Sequence, residues 1–286
     1  MERIDVLKTY KIFIGGEFPR TESGRYFHQK DKQGKLLANM CLSSRKDFRN
    51  AVVSARKIQE SWANASSLNR GQVLYRVAEM LEGRKLQFIE QLMMTGSSKA
   101  QAKSEVERSV DRLIYYAGWS DKFQQILSSV NPVISNHFNF SVLQSMGVVS
   151  VISANEYPLL GLVSVLAPVI VGGNTCVILS SEENPMVSIS FGEVIKTSDV
   201  PAGVVNILTG KRKELIRHFA SHKDVNAIIY CGDNNEEIKQ VERLSVENLK
   251  RVIIEKSKKW DSEASESPYF IDRFQEVKTI WHPTEV

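Results

Sequence analysis

Side chains that commonly do chemistry are few and scattered in this 286-residue sequence. The three cysteines (Cys41, Cys176 and Cys231) could supply thiolates, but their odd number and the lack of a C-x-x-C pair argue against a disulfide framework or a zinc site. His218 and His222 stand four residues apart and could face one way on a helix, yet two histidines at this spacing are a weak metal signal by themselves. We therefore predict surface histidines and no metal site.

A short basic run, residues 211–213, follows Gly210 at a predicted helix start. Such a run could cradle a phosphate, because a helix start offers free N–H groups, or it could be a solvated turn. We favour the solvated turn. The net charge of +4 is too small to indicate a nucleic-acid partner, which usually requires clustered basic residues.

The elements that would position these groups are clearest in residues 147–185. An apolar strand, a turn with a proline, an apolar helix, a Gly-Gly-Asn stop and a second apolar strand follow one another, which predicts a βαβ unit in a doubly covered parallel sheet. Apolar runs recur at 148–152, 176–179, 204–208, 227–230 and 252–254. Helix-like stretches separate these runs, so we predict a parallel sheet with right-handed crossovers.

The pattern of the chain before this sheet predicts a hairpin and then helices. A short strand at residues 11–14 ends at Gly15-Gly16, a strong turn signal. Three amphipathic patterns follow, on Ala51, Ala55, Ile58 and Trp62, on Val73, Val77, Met80 and Leu81, and on Val106, Val110, Leu113 and Ala117. These patterns predict helices that bury one face in the core.

Two further segments have strand composition. Residues 131–146 carry β-branched and aromatic residues around a polar turn, which predicts a hairpin that either recruits a partner strand or folds back on its own domain. After the polar stretch 256–268, whose composition predicts a linker, apolar and polar residues alternate between Val277 and Trp281. Joining this strand to the hairpin in one small sheet would bury alternate apolar side chains such as Val133, Phe138, Phe140, Val277 and Trp281.

Residues 147–185 resemble the cofactor-binding segment of aldehyde dehydrogenases. In that family the segment reads G-V-V-x-x-I-x-P-W-N-F-P-L and then L-A-P-A-L-A-x-G-N-T-V-V-x-K-P-S-E-x-T-P, and the two align without a gap. Residues 230–237 and 248–259 similarly resemble the family patterns F-T-G-S-T-E-V-G and N-L-K-R-V-x-L-E-L-G-G-K. The resemblance implies a Rossmann-like α/β fold, with a parallel sheet covered by helices on both faces, although the sequence has no G-x-G-x-x-G after the first strand.

The same resemblance assigns the catalytic positions. Glu156 stands at the place of the family's oxyanion-stabilising Asn, where an ionised carboxylate would repel the developing charge. Glu255 keeps the place of the general base, but Ser257 and Lys258 replace the two glycines that follow it. No cysteine follows Cys231, so the base has no nucleophile to activate, and we expect the catalytic domain to be absent.

The cofactor positions are degenerate in the same alignment. Leu179 replaces the Lys that contacts the cofactor ribose, and Glu182 is the retained residue of the Lys-Pro-Ser-Glu motif. Gly232 keeps the turn at the pyrophosphate-binding helix, but Asp233 takes the Ser position, and acidic residues in the next turn would compete with phosphate for the helix N–H groups. We therefore predict that no cofactor is bound in the usual way. Two alternatives stay open: a degenerate site that binds NAD or NADP weakly or in an altered mode, and a stand-alone nucleotide sensor.

This combination resembles the truncated, non-catalytic second module of family 16 aldehyde dehydrogenases. It implies an N-terminal hairpin and helical layer at 1–130, an oligomerisation hairpin at 131–146, a Rossmann-like region at 147–256, a linker that replaces the catalytic domain at 257–273 and an oligomerisation strand at 274–286. We expect a pseudoenzyme that acts in assembly, as a homodimer or with a full-length aldehyde dehydrogenase. The alternative is a part of an NAD(P)-dependent aldehyde dehydrogenase whose active site another module or chain completes.

The N-terminal residues and the length of the apolar runs bear on the location in the cell. The first nine residues do not form a signal-peptide pattern, and the longest apolar run, residues 161–173, contains Pro168 and is too short to cross a bilayer. We expect a cytoplasmic protein with no membrane partner.

Overall fold

The computed structural model describes residues 6–256 and 259–284. The strands in chain order are β1 (Thr9–Tyr10), β2 (Tyr26–Lys30), β3 (Leu36–Cys41), β4 (Ser129–Asn131), β5 (His137–Ser145), β6 (Val148–Ile152), β7 (Thr175–Leu179), β8 (Val205–Leu208), β9 (Ala227–Cys231), β10 (Arg251–Glu255) and β11 (Gln275–Pro283). The α-helices are α1 (Arg45–Asn64), α2 (Ser67–Gly83), α3 (Lys85–Met94), α4 (Lys99–Trp119), α5 (Phe123–Leu127), α6 (Leu160–Val171), α7 (Pro185–Lys196), α8 (Arg212–Ser221), α9 (Asn235–Ser245) and α10 (Tyr269–Asp272).

The five predicted apolar runs form one sheet. Its strand order is β10-β9-β6-β7-β8, and every neighbouring pair is parallel. The inner strands β6, β7 and β9 are buried along their whole length, which is why they read as continuous apolar runs and not as alternating ones. The predicted fold class is confirmed.

Successive residues of a strand point to opposite faces of the sheet, and helices cover both of these faces. On one side, Val148 and Ile152 pack with α1, α8 and α9, and the rings of Phe48 and Phe219 stack at 4.1 Å between centroids. On the other side, Val149 and Val151 pack with α2, α4, α6 and α7. The amphipathic patterns predicted for α1, α2 and α4 place their apolar faces in these layers.

The N-terminal hairpin is smaller than predicted. Gly15 and Gly16 form the expected tight turn with φ of 61° and 77°, but only Ile14 and Glu17 pair across it. Phe13 instead forms an isolated antiparallel bridge with Ile207 of β8, so the segment extends the edge of the main sheet.

A separate antiparallel sheet has the order β11-β5-β4. The predicted hairpin and last strand are therefore joined, with β11 and β5 in register over nine pairs from Gln275–Ser145 to Pro283–His137. The first hairpin strand ends at Asn131, one residue before Pro132, which has no N–H to donate to a ladder. Joining the strands does not by itself bury the predicted side chains, because Val277 is 64% exposed and Trp281 57% exposed.

Residues 259–274 connect the two sheets, and we call them the strap. The prediction placed a polar linker here, with residues 257 and 258 lying outside the described part of the chain. The strap holds three core side chains, Trp260, Ile271 and Phe274, none of which is more than 3% exposed. It therefore lies fixed against the body of the fold.

No helix among the described residues is both long enough and apolar enough to cross a membrane.

Candidate site at the carboxyl edge of the sheet

All five parallel strands end at the same edge, which is where α/β folds of this kind bind ligands. The last strand residues there are Ile152, Leu179, Leu208, Cys231 and Glu255. Leu179, at the family's ribose-contacting Lys position, is fully buried in the core on the α1 and α8 side. The residues that follow the strands therefore decide what this edge can bind.

Glu182 faces the N-terminus of α8. One of its carboxylate oxygens accepts the backbone N–H of Arg212, and the other lies 4.0 Å from Nζ of Lys211. A carboxylate at a helix N-terminus neutralises the free N–H groups and the positive end of the dipole. Glu182 thus occupies the place at α8 where an external anion would bind.

Arg212 extends across the edge. Its Nη2 donates to the carbonyl oxygen of Ser153, just after β6, and to that of Cys231 at the end of β9, at 3.3 Å in the second case. Its guanidinium carbon lies 5.8 Å from the centre of the Tyr230 ring. Of the basic run predicted to be a solvated turn, Lys211 and Lys213 are exposed as expected, but Arg212 is half-buried. No feature of the sequence indicates these contacts of Arg212 except its position in the turn after β8.

The second helix at the edge, α9, is also capped from within. The side-chain oxygen of Asn234 accepts the N–H groups of Glu236 and Glu237 at 3.0 and 3.3 Å. The cap is therefore Asn234 and not the acidic side chains that the sequence suggested. Asp233 is exposed beside it, and Gly232, at φ 156°, donates its N–H to the carbonyl oxygen of Glu255 at 3.1 Å.

A buried hydroxyl completes this cluster. Tyr230 is fully buried and donates to a carboxylate oxygen of Glu237 at 2.7 Å. Burial, together with this carboxylate, raises the pKa of the Tyr230 hydroxyl well above its ordinary value. Tyr230 therefore stays a neutral hydrogen-bond donor.

Glu255, at the general-base position, forms an ion pair with Arg273 of the strap. The guanidinium of Arg273 also lies over the ring of Phe270, 4.4 Å from its centre. The carboxylate is thus held by the segment that follows it along the chain.

Glu156, at the oxyanion position, is exposed and lies apart from these groups. It lines a cavity of about 640 Å³ between the turn after β6, the turn after β7, the start of α4 and the strap. Glu255 is not among the residues that line this cavity. The structure therefore brings Glu182 and Gly232 to one cluster through Arg212 and leaves Glu156 in a separate one.

A buried carboxyl lies between this cavity and α6. Glu105 is 6% exposed, and one of its oxygens accepts the N–H groups of Leu159 and Leu160 at 2.9 and 3.2 Å. Burial raises the pKa of Glu105, and the two hydrogen bonds oppose that shift. Sequence reasoning did not identify Glu105, because a single Glu on an amphipathic helix gives no such signal.

The edge does not fit a dinucleotide bound in the usual way. A pyrophosphate needs free N–H groups at a helix start, but Glu182 caps α8 and Asn234 caps α9. Arg212 covers the space between the ends of β6 and β9. Among the described residues, no group of three His, Cys, Asp or Glu side chains could hold a metal ion.

Comparison with known proteins agrees with the fold. Retinal dehydrogenase 2 of Gallus gallus is 31% identical over 87% of this chain, and cytosolic 10-formyltetrahydrofolate dehydrogenase of Mus musculus is 28% identical over 89%. The chain spans 49% of the first relative's length and 29% of the second's.

Solved structures give the same result. Two structures of aldehyde dehydrogenase from Bacillus cereus, one of a mutant and one of an NAD+ complex, superpose with TM-scores of 0.83 and 0.82 at 25% identity. Each superposition covers 87% of this chain and 51% of the other. A model described as the aldehyde dehydrogenase family matches residues 20–259. This chain belongs to the aldehyde dehydrogenase family.

Proposed function

We propose that this chain is a non-catalytic aldehyde-dehydrogenase-type module that acts in assembly. The observation that carries the proposal is the occupation of the carboxyl edge by the chain's own side chains. Glu182 and Asn234 take the two helix starts, and Arg212 takes the strand ends between them. A dinucleotide would have to displace all three groups, and the cost of breaking these hydrogen bonds would be subtracted from its affinity.

Two further features agree with this proposal. A carboxylate at Glu156 would oppose an oxyanion, and Glu255 is already paired with Arg273. The three cysteines of the sequence are all buried, so none offers an accessible nucleophile at the edge. The resemblance to the second modules of family 16 enzymes supports the same function.

Calorimetry with NAD+ and NADP+ tests the binding part. We expect no heat at millimolar ligand, a regime of about −4 kcal/mol, and no turnover with a panel of aldehydes. The triple variant Glu182→Ser, Arg212→Gly, Asn234→Gly should gain measurable dinucleotide binding, since it frees both helix starts and the strand ends between them. Turnover by the unaltered protein, or sub-millimolar binding by it, would refute the proposal.

The assembly part rests on β11. This strand lies at the edge of its sheet, and all of its residues except Gln275 and Ile280 are exposed. Val277 and Trp281 expose apolar surface on one face of this sheet, at 64% and 57%, and Phe138 of β5 is 47% exposed on the opposite face. Long exposed edges of this kind tend to pair with another chain, and soluble monomers usually protect them.

We therefore expect a dimer, either with itself or with a full-length relative, and no nucleic-acid partner. The variant Val277→Lys, Trp281→Lys should give a monomer by light scattering, because it places charges on the pairing edge. Val53→Lys, at a residue 59% exposed on α1, is the matched control and should leave the dimer intact. A monomeric unaltered protein in the presence and absence of a relative would exclude this role.

The second candidate is a portion of an NAD(P)-dependent aldehyde dehydrogenase whose active site another module or chain completes. The coverage favours it, since the chain spans about half of the matched aldehyde dehydrogenase structures. The proposed domain boundaries, the cytoplasmic location and the absence of a catalytic domain stay predictions. The reading frame on both sides of the coding segment decides between the two candidates.

A further inference from the structure

The open edge of β11 presents a defined set of backbone groups, which its pairing with β5 identifies. The N–H of Met146 donates to the carbonyl oxygen of Phe274 at 3.4 Å, and that of Thr284 donates to the carbonyl oxygen of Asn136 at 3.1 Å. Both bonds extend the register of β5 and β11 by one residue, and hydrogen-bonded pairs alternate along such a ladder. The even-numbered residues of β11 therefore bond to β5. Among the described residues, the backbone groups on the open side have no partner at Val277, Thr279 and Trp281.

The two ends of this open edge differ from its middle. Pro283 has no N–H, and its nitrogen lies on the open side, where an edge strand tolerates it. At the other end, the carbonyl oxygen of Gln275 also points to the open side, but it already accepts Nη1 of Arg251 at 2.7 Å. One end of the edge thus lacks a donor, and the other end has an acceptor that needs none. A strand that places these two ends opposite each other loses no hydrogen bond.

A second copy of β11 in antiparallel orientation meets this condition. We propose that two copies join edge to edge through β11 about a two-fold axis at Thr279, which specifies the partner in the proposed assembly role and rests on that role. Gln275 of one copy then lies opposite Pro283 of the other. Val277 lies opposite Trp281 and Thr279 opposite its own copy, and each of these pairs exchanges two backbone hydrogen bonds. The two small sheets become one continuous sheet, in which β11 is no longer an edge.

The side chains are complementary in the same register. Val277 and Trp281 are 64% and 57% exposed in the single chain, and an aromatic side chain opposite a β-branched one stabilises a strand pair. On the other face, Glu276 lies opposite His282. Oε1 of Glu276 accepts Nη2 of Arg251 at 3.1 Å, which leaves Oε2 for an imidazole N–H of the other copy. The two-fold axis produces each of these contacts twice.

Neighbouring registers satisfy fewer groups. An axis at Lys278 places this ammonium group opposite its own copy, and like charges directly opposite each other are destabilising. An axis at Ile280 places Val277 opposite Pro283, which has no N–H for the open carbonyl oxygen of Val277. A register that pairs odd-numbered with even-numbered residues meets backbone groups that are already bonded to β5. The charges and the backbone groups therefore select the axis at Thr279.

Cysteine cross-linking of the full chain tests the register. In Thr279→Cys the two thiols face each other across a hydrogen-bonded pair with about 5.5 Å between Cα atoms, which a disulfide spans, so oxidised glutathione should link most of this variant into a dimer. Lys278→Cys is the matched control, because its own copy is a diagonal neighbour at about 7–8 Å, too far for a disulfide without backbone movement. Both positions are exposed, so both variants should fold normally. The unaltered protein should stay unlinked, because its three cysteines are buried.

Two substitutions at His282 test the contact with Glu276. His282→Lys should keep or tighten the dimer, because it retains a donor with a positive charge. His282→Glu should raise the dimer dissociation constant about tenfold, because it places two carboxylates opposite each other at both ends of the paired strands. Analytical ultracentrifugation measures both constants, and an equal effect of the two substitutions would overturn the register.

The cross-linking result also separates the register from the assembly role on which it rests. If the unaltered protein is a dimer but Thr279→Cys does not link, or Lys278→Cys links more readily, the register is wrong and the assembly role stands. If the unaltered protein is a monomer at all accessible concentrations, both are refuted.

Discussion

Replacing Arg112 with Met should release the strap from the body of the fold. Arg112 lies on α4 and is 3% exposed. Its guanidinium donates to the carboxylate of Glu266 at 2.9 Å, to the hydroxyl of Ser164 at 2.6 Å and to the carbonyl oxygens of Ser265 and Trp260 at 2.9 and 3.3 Å. Three of the four acceptors belong to the strap, so this one side chain fastens it to α4 and α6.

The size of the effect follows from what the substitution leaves behind. Removing one partner of a fully buried ion pair costs about 3–5 kcal/mol. Glu266 is 29% exposed at its side chain, so water can replace part of the lost interaction, and the cost falls toward the lower end. The acceptors that stay buried add about 1 kcal/mol or more each when they lose their donor. With two buried carbonyl acceptors, those of Ser265 and Trp260, we therefore expect Arg112→Met to lower the free energy of unfolding by about 5 kcal/mol.

Arg108 provides a matched control one helical turn earlier. It also donates to the strap, through the carbonyl oxygen of Asp261 at 2.6 Å, but it is exposed. Because solvent replaces an exposed hydrogen bond, Arg108→Met should cost less than about 1 kcal/mol. Urea-induced unfolding at equilibrium measures both values, and hydrogen exchange should show faster exchange of the strap in the Arg112 variant. Equal destabilisation by the two substitutions would show that burial does not control this attachment.

Three other predictions concern side chains in the core and at the edge. The buried cysteines should not react with a thiol reagent at pH 8 in the native protein, and all three should react in urea; reaction of any one in the native state would contradict their burial. Burial lowers the pKa of Lys250 to about 8, so the folded protein gives up this proton before the unfolded chain does. Its stability relative to Lys250→Met should therefore rise between about pH 8 and pH 10.5, by up to about 3 kcal/mol in urea titrations, and a constant difference would refute this. Gly232→Ala should cost about 1–3 kcal/mol in thermal unfolding, because φ is 156° and an added Cβ would lie 3.1 Å from the Tyr230 hydroxyl oxygen; an unchanged melting temperature would show that the turn can relax.

The sheet could be predicted because its signal is local. Strands that are buried on both faces, such as β6 and β7, must be apolar at every position, so composition alone marks them. The pairing of β11 with β5 was predictable from the family resemblance, but the exposure of Val277 and Trp281 was not. Burial depends on what covers a residue in space, and alternation along one strand does not report that.

The site depended on contacts between distant segments, and so the sequence revealed less of it. Arg212 reaches the carbonyl of Ser153, which is 59 residues away in the chain, and a basic run in a turn carries no mark of that contact. The strap was similarly hidden, since its three core side chains, Trp260, Ile271 and Phe274, stand in a mostly polar stretch. A few buried side chains can fix a segment whose average composition is typical of a linker.

The strap and its neighbours also connect the main parallel sheet to the small antiparallel sheet. Arg273 in the strap pairs with Glu255 at the end of the main sheet, and Arg251 of β10 donates to the carbonyl oxygen of Gln275, the first residue of β11, at 2.7 Å. The general-base position of the family is thus tied to the small sheet that we propose for assembly. If the strap is released, as Arg112→Met should do, β11 loses the anchor that sets its position relative to the main sheet. If Arg112→Met loses the dimer at concentrations where Arg108→Met stays dimeric, the former catalytic edge is linked to assembly. If both variants stay dimeric, β11 is positioned by β5 alone.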